Sequence, residues 1–567
     1  MAELRLARIA SYVAPDDQYA QYFREALDHA GLLHQPAHDS TLENLEDFDV
    51  LLLCGKGSLT SAQLEEIRVW HSRGNAIVCA GGTFGLTQEL GIEECESGVH
   101  LSSSYLSPCD DSGTLWPENA PQTRFFGGVV ASAAGAKVFA KTEGGFVGAA
   151  VRDRAFFIAP HIGQTIAMLQ LGRSVETDCV GPNDGSAVLD DGVLRSEDGT
   201  ILSFEHDRSC KDSDTPIFEV PYADIVKELW LRAILQACAS TGKAPALLWH
   251  WPDNAVGVGT FSIECEEFSS DNMSSLLRQL MMIGAPAAWL VGLPGYPLDV
   301  YRSLLKSGHE VGLLFLTDDS AGWTEERLRV QQLAMMRSAS LGAIVSARPL
   351  AGRWKGLKTF YDLAESTGVK LSLSKGGRQP GTTGFLFGTC HLFFPQRKDG
   401  TPYRVAELPY SAHLPGLVAP HESLGPLIDT VGSRYGCFHV GLRSDYVQSE
   451  TAVSCLRTLF AAARQNHFAF LTPEQIYDFE RSRRTIKHKA WVDGDRCFLS
   501  LIPGASIEDL SLLVAGAGLD ATASGQRVRT TTLRRYGMDF LSVTLNLEAK
   551  TQVELCITSA TPESAAA

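Results

Sequence analysis

Three acidic side chains stand at the end of an apolar, glycine-rich run in the middle of the chain. Residues 255–263 are predicted to form a buried strand, because the run is short and almost wholly apolar. Glu264, Glu266 and Glu267 come directly after it. Carboxylates grouped in a partly dry cleft shift one another's pKa values apart, so that one of them can act as a base near neutral pH. The pattern therefore predicts acid–base chemistry at the end of this strand.

Further strands are predicted over 287–291 and within 306–319, and their motifs resemble those of a known family. Thr260 and Phe261 match the start of the first strand-end motif of the NodB-type polysaccharide deacetylases, and residues 308–312 (G-H-E-V-G) match the second. The resemblance implies a distorted (β/α) barrel. It also implies removal of acyl groups from amino sugars or related amides with a bound divalent metal.

The chain departs from that family at the metal ligands. Leu314 and Asp318 stand where the family has its two metal-binding histidines, and Glu264-Cys265-Glu266 stands in place of its Asp pair. A Zn²⁺-type site needs about three N, O or S ligands and an open position for water. The sequence therefore favours a barrel without a metal. A carboxylate-rich site for Zn²⁺, Mn²⁺ or Mg²⁺ is the alternative.

Candidate site residues follow from the resemblance, since function in a (β/α) barrel lies at the carboxyl ends of the strands. The candidate catalytic residues are Glu264 as general base, Arg348 as its orienting group, and His391. The candidate metal ligands are Glu266 and Asp318. The candidate substrate-binding residues are Trp251, His309, Ser374 and Arg443. A solvated loop arginine is the alternative for Arg348, and a purely structural histidine is the alternative for His391.

Predicted strands and helices alternate in residues 1–240, which favours a parallel α/β sheet. The sequence I-V-C-A-G around Cys79 resembles the nucleophile motif of the class I glutamine amidotransferase-like (flavodoxin-like) fold, and His161 stands near the position of its base. Ile77 replaces a glycine of that motif, and Gly163 replaces the Glu that orients the base. The resemblance implies a Cys-dependent amidotransferase-like activity as one interpretation, and a merely buried Cys79 as the other.

The hydrophobic pattern changes to a period of two after about residue 486, with turn residues between short runs. This pattern is typical of an all-β sandwich. The predicted fold is thus a multidomain α/β protein. An amidotransferase-like domain over 1–240 is followed by a NodB-type barrel over 241–485 and a β-sandwich over 486–560.

Bulk composition limits the classes of partner and compartment. A net charge of −17 and a pI of about 5.4 disfavour binding to nucleic acid or to anionic membranes. The start of the chain lacks the pattern of a signal peptide, and no apolar run is long enough to span a bilayer. The 13 cysteines are scattered without a C-x-x-C pair, which favours reduced thiols over disulfides. These features predict a cytoplasmic protein.

The sequence supports one function and two alternatives. It favours a non-catalytic, deacetylase-like protein that binds a glycan, an amino-sugar ligand or a partner protein. The first alternative is a hydrolase that removes acyl groups from amino sugars or related amides at an altered, carboxylate-rich metal site. The second is Cys-dependent amidotransferase-like chemistry in the first domain.

Overall fold

The computed structural model describes residues 4–95, 103–110, 112–210, 215–266, 268–317, 322–414, 420–445, 450–494 and 496–559. The chain divides into two compact units. The first unit comprises Met1–Ile166, Ile225–Asn254 and Phe479–Ala567, and the second comprises Ala167–Asp224 and Ala255–Asp478. This division follows proximity in space, and it crosses the predicted boundaries near residues 240 and 485, which stay predictions. None of the helices formed by the described residues is both long and apolar enough to cross a bilayer.

The first unit begins with a nine-stranded sheet of mixed parallel and antiparallel pairing, in the order β2-β1-β3-β4-β11-β10-β9-β6-β7. The strands are β1 Ile9–Val13, β2 Gln35–Ala37, β3 Val50–Cys54, β4 Ala76–Ala80, β5 Ile92–Glu94, β6 Ser104–Pro108, β7 Thr123–Phe125, β8 Ala131–Ala133, β9 Lys137–Thr142, β10 Val147–Arg152 and β11 Ala155–Ile158. The five strands β2, β1, β3, β4 and β11 pair in parallel with their neighbours. From β11 onward, strands β10, β9, β6 and β7 pair antiparallel. Strands β5 and β8 form a separate antiparallel ribbon.

The helices of this part of the chain lie between or after these strands. They are α1 Ala20–Ala30, α2 Asp39–Leu42, α3 Ser61–Ser72, α4 Thr87–Leu90, α5 Ile162–Leu171 and α6 Tyr222–Ser240. Helix α3 begins at a capping box, in which Thr60 and Gln63 each accept a hydrogen bond from the other's backbone N–H. Every residue of β3 and β4 is buried, as expected for parallel strands covered on both faces.

The second unit is built on an all-parallel sheet in the order β18-β17-β16-β15-β14-β13-β20-β19, curled into a half-barrel, with β21 also paired to β13. After β12 (Ala246–Leu248), the strands are β13 Gly257–Cys265, β14 Ala287–Val291, β15 Glu310–Phe315, β16 Ser346–Pro349, β17 Leu371–Ser372, β18 Ala406–Glu407, β19 Ala412–Leu414, β20 Cys437–Arg443 and β21 Phe468–Phe470. The helices are α7 Ser270–Ile283, α8 Leu298–Lys306, α9 Glu325–Ala339, α10 Thr359–Thr367, α11 Pro420–Ser433, α12 Glu450–Gln465 and α13 Pro473–Arg484. The residues of α13 from Phe479 onward belong to the first unit.

Strand β13 is the centre of this sheet. It pairs with β14, β20 and β21, and all nine of its residues are buried. Its register places Val258 opposite Cys437 and Glu264 opposite Arg443. The carboxyl end of β13 is therefore level with the carboxyl end of β20, and Glu264 lies there without exposure to solvent.

The end of the chain forms two antiparallel sheets in the first unit, in the orders β12-β24-β28-β27 and β22-β23-β29-β25-β26. Their remaining strands are β22 Lys487–Asp493, β23 Arg496–Ile502, β24 Ile507–Ala515, β25 Leu519–Ala523, β26 Gln526–Arg527, β27 Arg529–Arg535, β28 Met538–Leu547 and β29 Val553–Ser559. Leu512 and Val543 of one sheet share an apolar core with Leu499 and Leu555 of the other. The assignment of this part to the β-sandwich class stays a prediction.

Two arginines at the end of α13 connect segments of the first unit. Arg483 is almost fully buried and donates hydrogen bonds to the backbone carbonyls of Leu248 (3.0 Å) and His29 (2.7 Å). Glu480 accepts bonds from Arg483 (2.6 Å) and from Arg484 (2.6 Å). A Cβ at Gly31 would lie 2.4 Å from Arg483 Nη1, and the backbone of Gly31 has a φ of +68°. Residue 31, which lies against the Arg483 guanidinium, is therefore required to be glycine.

We predict that Arg483→Ala lowers the free energy of unfolding by about 3–5 kcal/mol, because it leaves a buried carboxylate with one partner fewer and two buried carbonyls without their donor. The midpoint of denaturant unfolding, followed by tryptophan fluorescence, measures the change. Arg481→Ala, on the exposed side of the same helix, is the matched control and should change stability by less than about 0.5 kcal/mol. Equal midpoints for the two variants would contradict the role of Arg483.

Candidate functional site

The carboxylate of Glu264 is held by two arginines at the carboxyl end of β13. Arg378 binds it with both terminal nitrogens, Nη1 to Oε1 at 2.6 Å and Nη2 to Oε2 at 2.9 Å. Nη1 of Arg348 donates to the same Oε1 at 3.2 Å. The two-pronged contact matches the planar fork of guanidinium to the planar carboxylate, which is the strongest form of such a pair. Both oxygens of Glu264 are therefore engaged.

Arg348 is fixed on all sides. It lies on β16 with no exposed surface. Its Nη2 donates to Ser262 Oγ at 2.7 Å, and its Nε donates to the backbone carbonyl of Leu373. The ring of Tyr410 lies 4.7 Å from its guanidinium carbon, within the range of a cation–π contact. Because every direction is occupied, Arg348 has one geometry, and it positions Glu264.

Two buried histidines complete the cluster. His439 Nδ1 lies 3.2 Å from the carbonyl oxygen of Leu408, and its Nε2 lies 2.8 Å from Ser262 Oγ. A carbonyl only accepts, so Nδ1 carries the proton and Nε2 accepts from the serine hydroxyl. His413 Nε2 lies 3.7 Å from Glu264 Oε2. Burial, together with the nearby arginines, lowers the pKa of His413 to about 4 and that of His439 to about 3. Both rings are neutral at neutral pH.

A second buried carboxylate supports Arg378. Glu197 Oε2 accepts from the backbone N–H of Arg378 at 2.7 Å and from the Thr382 hydroxyl at 3.0 Å. Burial raises the pKa of Glu197, against the lowering effect of these hydrogen bonds and of Arg378. For Glu264, burial likewise acts to raise the pKa, but the charge of Arg378 and the other neighbouring groups hold it well below its usual range. Glu264 is thus ionised, and a carboxylate with so low a pKa is a weak base.

The residues at this end of the sheet do not fit the divalent metal that the deacetylase resemblance implies. The first carboxylate position is Glu264, whose two oxygens point at positive guanidinium groups, and positive charge so close opposes a cation. Leu314 on β15 is fully buried and offers no ligand atom. Glu266 is exposed. Asp318 lies outside the described residues.

Two further predicted residues lie at the same end. Ser374 follows β17, and its Oγ lies 2.9 Å from the Oγ of Ser372. Arg443 is the last residue of β20, and its Nη2 binds Asp445 Oδ2 at 3.1 Å. Its side chain is 36% exposed, so among the predicted binding residues it is the one open to solvent here.

The remaining predicted residues lie elsewhere. His309 precedes β15, and its Nδ1 accepts from the backbone N–H of Ala287 (3.1 Å) at the start of β14. Trp251 belongs to the first unit and is buried. His391 Nε2 lies 3.0 Å from the Arg434 carbonyl oxygen, beside the start of β20. The predicted position of His391 at the carboxyl ends is therefore corrected to the amino end, because the neighbouring Cys390 carbonyl accepts from the first residue of β20. His309, directly before β15, also lies at an amino end.

A lysine and a glutamate form a neighbouring buried pair that the sequence did not predict. Lys375 Nζ donates to the carbonyl of Leu171 at 2.9 Å and lies 4.2 Å from the centre of the Phe387 ring. Glu407 accepts from the backbone N–H of Ser374 (2.9 Å) and of Lys375 (2.8 Å). Burial lowers the pKa of Lys375 to about 8 and raises the pKa of Glu407. These contacts fix the loop that carries Arg378.

The first unit carries the Cys79 and His161 of the predicted amidotransferase-like motif. Cys79 is fully buried in β4, and burial raises the pKa of its thiol far above the usual range, which disfavours the nucleophilic thiolate. His161 Nε2 lies 2.6 Å from Asp17 Oδ2. A carboxylate does orient this histidine, but it comes from the loop after β1 and not from the position of Gly163. The described lining of the adjacent cavity of about 400 Å³, formed by loops such as those at Lys56 and Phe84, contains neither Cys79 nor His161.

Comparisons with known proteins add the following findings. No family model and no curated protein matches the sequence. Similar solved structures include Agd3, a carbohydrate deacetylase, with 9% identity over 98% of this chain and 99% of that chain and a TM-score of 0.42. A putative polysaccharide deacetylase from Mycobacterium smegmatis has 14% identity over 41% of this chain and 93% of that chain, with a TM-score of 0.32. BA3943, a CE4 family pseudoenzyme from Bacillus anthracis, has 9% identity over 40% and 66%, with a TM-score of 0.24.

We predict that Glu264→Gln destabilises the protein by about 3–5 kcal/mol at pH 7, because two buried guanidinium groups lose their counter-charge. The stabilisation by ionised Glu264 is present above the unfolded pKa of about 4.3 and is lost as the pH falls through the lower folded pKa. The gap in unfolding midpoint between wild type and variant should therefore narrow in strong acid.

Glu266→Gln is the matched control for this prediction. It makes the same change of side chain two residues away at an exposed position. Its free energy of unfolding should stay within about 0.5 kcal/mol of the wild-type value. A Glu264→Gln protein as stable as this control at pH 7 would show that the ion cluster does not stabilise the fold.

Proposed function

We propose that this chain is a deacetylase-like protein that binds a glycan and does not catalyse metal-dependent deacetylation. The observation that carries the proposal is the pairing of Glu264 with Arg378 and Arg348. A general base needs a lone pair within reach of its substrate and a pKa near the working pH. Glu264 has a pKa held well below its usual range, and its oxygens face arginines.

The hydrolase alternative receives less support from the same residues. A carboxylate-rich metal site would need Glu264, Glu266 and Asp318 around one cation. Glu264 already neutralises part of the charge of two arginines, and Glu266 is exposed. Leu314, at a ligand position of the family that the sequence resembles, is buried and has no ligand atom. The described residues at this end of the sheet therefore do not assemble the ligand set that a water-activating metal needs.

A surface in the first unit supports glycan binding. Two adjoining cavities of about 270 and 330 Å³ share Leu6, Arg8 and Ala490 in their lining. Trp491 lines one of them and lies parallel to Phe498, with ring centres 5.5 Å apart. We call this surface the Trp491 groove. A partly exposed aromatic face beside polar groups suits a sugar ring, which is apolar on its faces and polar at its edge.

The charges around the Trp491 groove favour one class of glycan. Arg5, Arg8 and Lys243 line one cavity, and Lys489 lines the other. The two carboxylates of the lining, Asp47 and Asp49, both lie against Arg8, with Asp47 Oδ1 3.7 Å from its Nη1 and Asp49 Oδ2 3.2 Å from its Nε. The surplus of cations over carboxylates, in a chain of net charge −17, favours a neutral or acidic saccharide over a deacetylated, cationic one. Concave cavities near the lower limit of ligand pockets also suit a saccharide better than a flat protein surface.

The catalytic half of the proposal predicts that the purified protein releases no acetate from N-acetylglucosamine oligosaccharides, with or without added Zn²⁺, Mn²⁺ or Mg²⁺. An enzyme-coupled acetate assay over hours, with an active deacetylase as the positive control, measures this. Metal-dependent release of acetate that disappears in Glu264→Gln, in protein shown to be folded by its melting curve, would establish the hydrolase alternative instead.

The binding half predicts that a glycan array identifies neutral or acidic oligosaccharide ligands and that Trp491→Ala weakens their binding at least tenfold, since removal of a central aromatic contact commonly costs more than about 1–2 kcal/mol. Calorimetric titration with the best array ligand measures the affinity. Phe146→Ala, which removes another partly exposed aromatic of the first unit away from the groove, is the control. Unchanged affinity in Trp491→Ala would exclude the groove.

A further inference from the structure

A cluster of three different metal-ligating side chains lies at the opposite end of the barrel sheet from Glu264. Asp224, Cys390 and His391 each offer one ligand atom, and these atoms lie within 4.8 Å of one another. All three side chains are more than nine-tenths buried. The carbonyl of Cys390 accepts from the N–H of Cys437, the first residue of β20. Cys437 is level with Val258, six residues before Glu264 on β13, which is roughly 20 Å along the strand.

The fold holds Asp224 and Cys390 against each other. Asp224 lies in the first turn of α6, and its Oδ1 accepts from the Thr389 hydroxyl at 2.7 Å. Its Oδ2 accepts from the backbone N–H of Cys390 at 2.8 Å and lies 3.3 Å from the Cys390 sulfur. A Cβ at Gly436 would lie 2.3 Å from that sulfur, so the turn before β20 closes the other side. The carboxylate and the thiol are therefore placed before any cation arrives.

The hydrogen bond of His391 sets its tautomer. Its Nε2 lies 3.0 Å from the backbone carbonyl oxygen of Arg434. Because a carbonyl can only accept, Nε2 carries the proton, and the lone pair of the neutral ring is on Nδ1. Donation of one ring N–H to a carbonyl is the arrangement that orients metal-binding histidines in proteins.

We propose that Asp224, Cys390 and His391 bind one Zn²⁺ ion as a structural site. Sulfur, imidazole nitrogen and carboxylate oxygen together suit Zn²⁺, whereas Mg²⁺ and Ca²⁺ prefer oxygen alone. Ligand atoms around tetrahedral zinc are about 3.4 Å apart for bonds of about 2.0–2.3 Å. The cluster needs to contract by little more than 1 Å, which side-chain rotation can supply. A water completes the four ligands.

Binding balances charge as well as geometry. The S–H bond of Cys390 breaks, a sulfur–zinc bond forms, and one proton leaves to solvent for each ion bound. The thiolate and the Asp224 carboxylate then carry two negative charges against the two positive charges of the ion. A buried site of zero net charge avoids the cost of an uncompensated ion. The role of the zinc site is to join the loop at residues 389–391 to the start of α6, and the site is separate from the ion cluster at Glu264.

The test uses the full chain, stripped with a chelator and titrated with ZnCl₂, and in parallel with CoCl₂ as a spectroscopic probe. We expect one zinc per chain by elemental analysis and release of one proton per ion. We also expect a higher melting temperature with zinc, and a thiolate-to-cobalt charge-transfer band with tetrahedral d–d bands. Cys390→Ser keeps a hydrogen-bond donor beside Asp224 but removes the soft ligand. It should lose the charge-transfer band and weaken zinc binding at least 100-fold.

The control is Cys210→Ser, which removes an exposed thiol outside the cluster and should leave zinc stoichiometry and the cobalt spectrum unchanged. His391→Ala should lower zinc affinity without removing the thiolate band entirely, so a failure of Cys390→Ser to fold does not leave the question open. The proposal is overturned if wild type binds no stoichiometric zinc, or if cobalt binds without a thiolate band. Bound zinc without acetate release would agree with both proposals, since this site is remote from Glu264.

Discussion

The buried carboxylate of Glu264 lies between two guanidinium groups, and much of the polar structure of the second unit serves to keep these charges paired. Arg348 is fixed by Ser262, Leu373 and Tyr410, and Arg378 is held from behind by Glu197. Breaking one partner out of such a cluster costs several kcal/mol, because the charge that is left has neither water nor a counter-ion. The loops after several strands are therefore bound to one arrangement of four ionic side chains.

The pairing of Glu264 with two arginines is compatible with a deacetylase-like sheet but not with the metal chemistry that the resemblance to the polysaccharide deacetylases implies. A guanidinium and a divalent metal both supply positive charge to a carboxylate. Only the metal also has an open position at which it can polarise a carbonyl or lower the pKa of water. Arg378 uses its two nitrogens on Glu264 and has no comparable position. The same strand end can thus keep its carboxylate, its arginine and its shape while it loses the means to hydrolyse an amide.

Predictions from the sequence succeeded where the signal is local. The predicted strand over 287–291 coincides with β14, and the buried run predicted over 255–263 overlaps β13. The deacetylase motifs indicated that Glu264 and Arg348 would lie near each other, and they are 3.2 Å apart.

Contacts between distant segments could not be predicted in this way. Arg378 follows Glu264 by 114 residues in a glycine-rich loop, and Asp17 precedes His161 by 144 residues, so no spacing rule connects them. His391 was placed at the wrong end because an apolar run with a histidine does not reveal which end of a strand it adjoins. Asp318, a predicted metal ligand, is outside the described residues.

The hydrogen bond between Glu197 and the backbone of Arg378 joins residues 181 positions apart. A ribosome adds about 5–20 residues per second, so roughly 10–40 seconds of synthesis separate the two partners. During that interval Glu197 has no place in a dry interior and remains hydrated, and residues 167–224 cannot settle into their final packing. Completion of the second unit is thus a late event in the life of the nascent chain. The segment that carries Glu197 therefore stays exposed to solvent after its own synthesis, until the loop with Arg378 has also emerged.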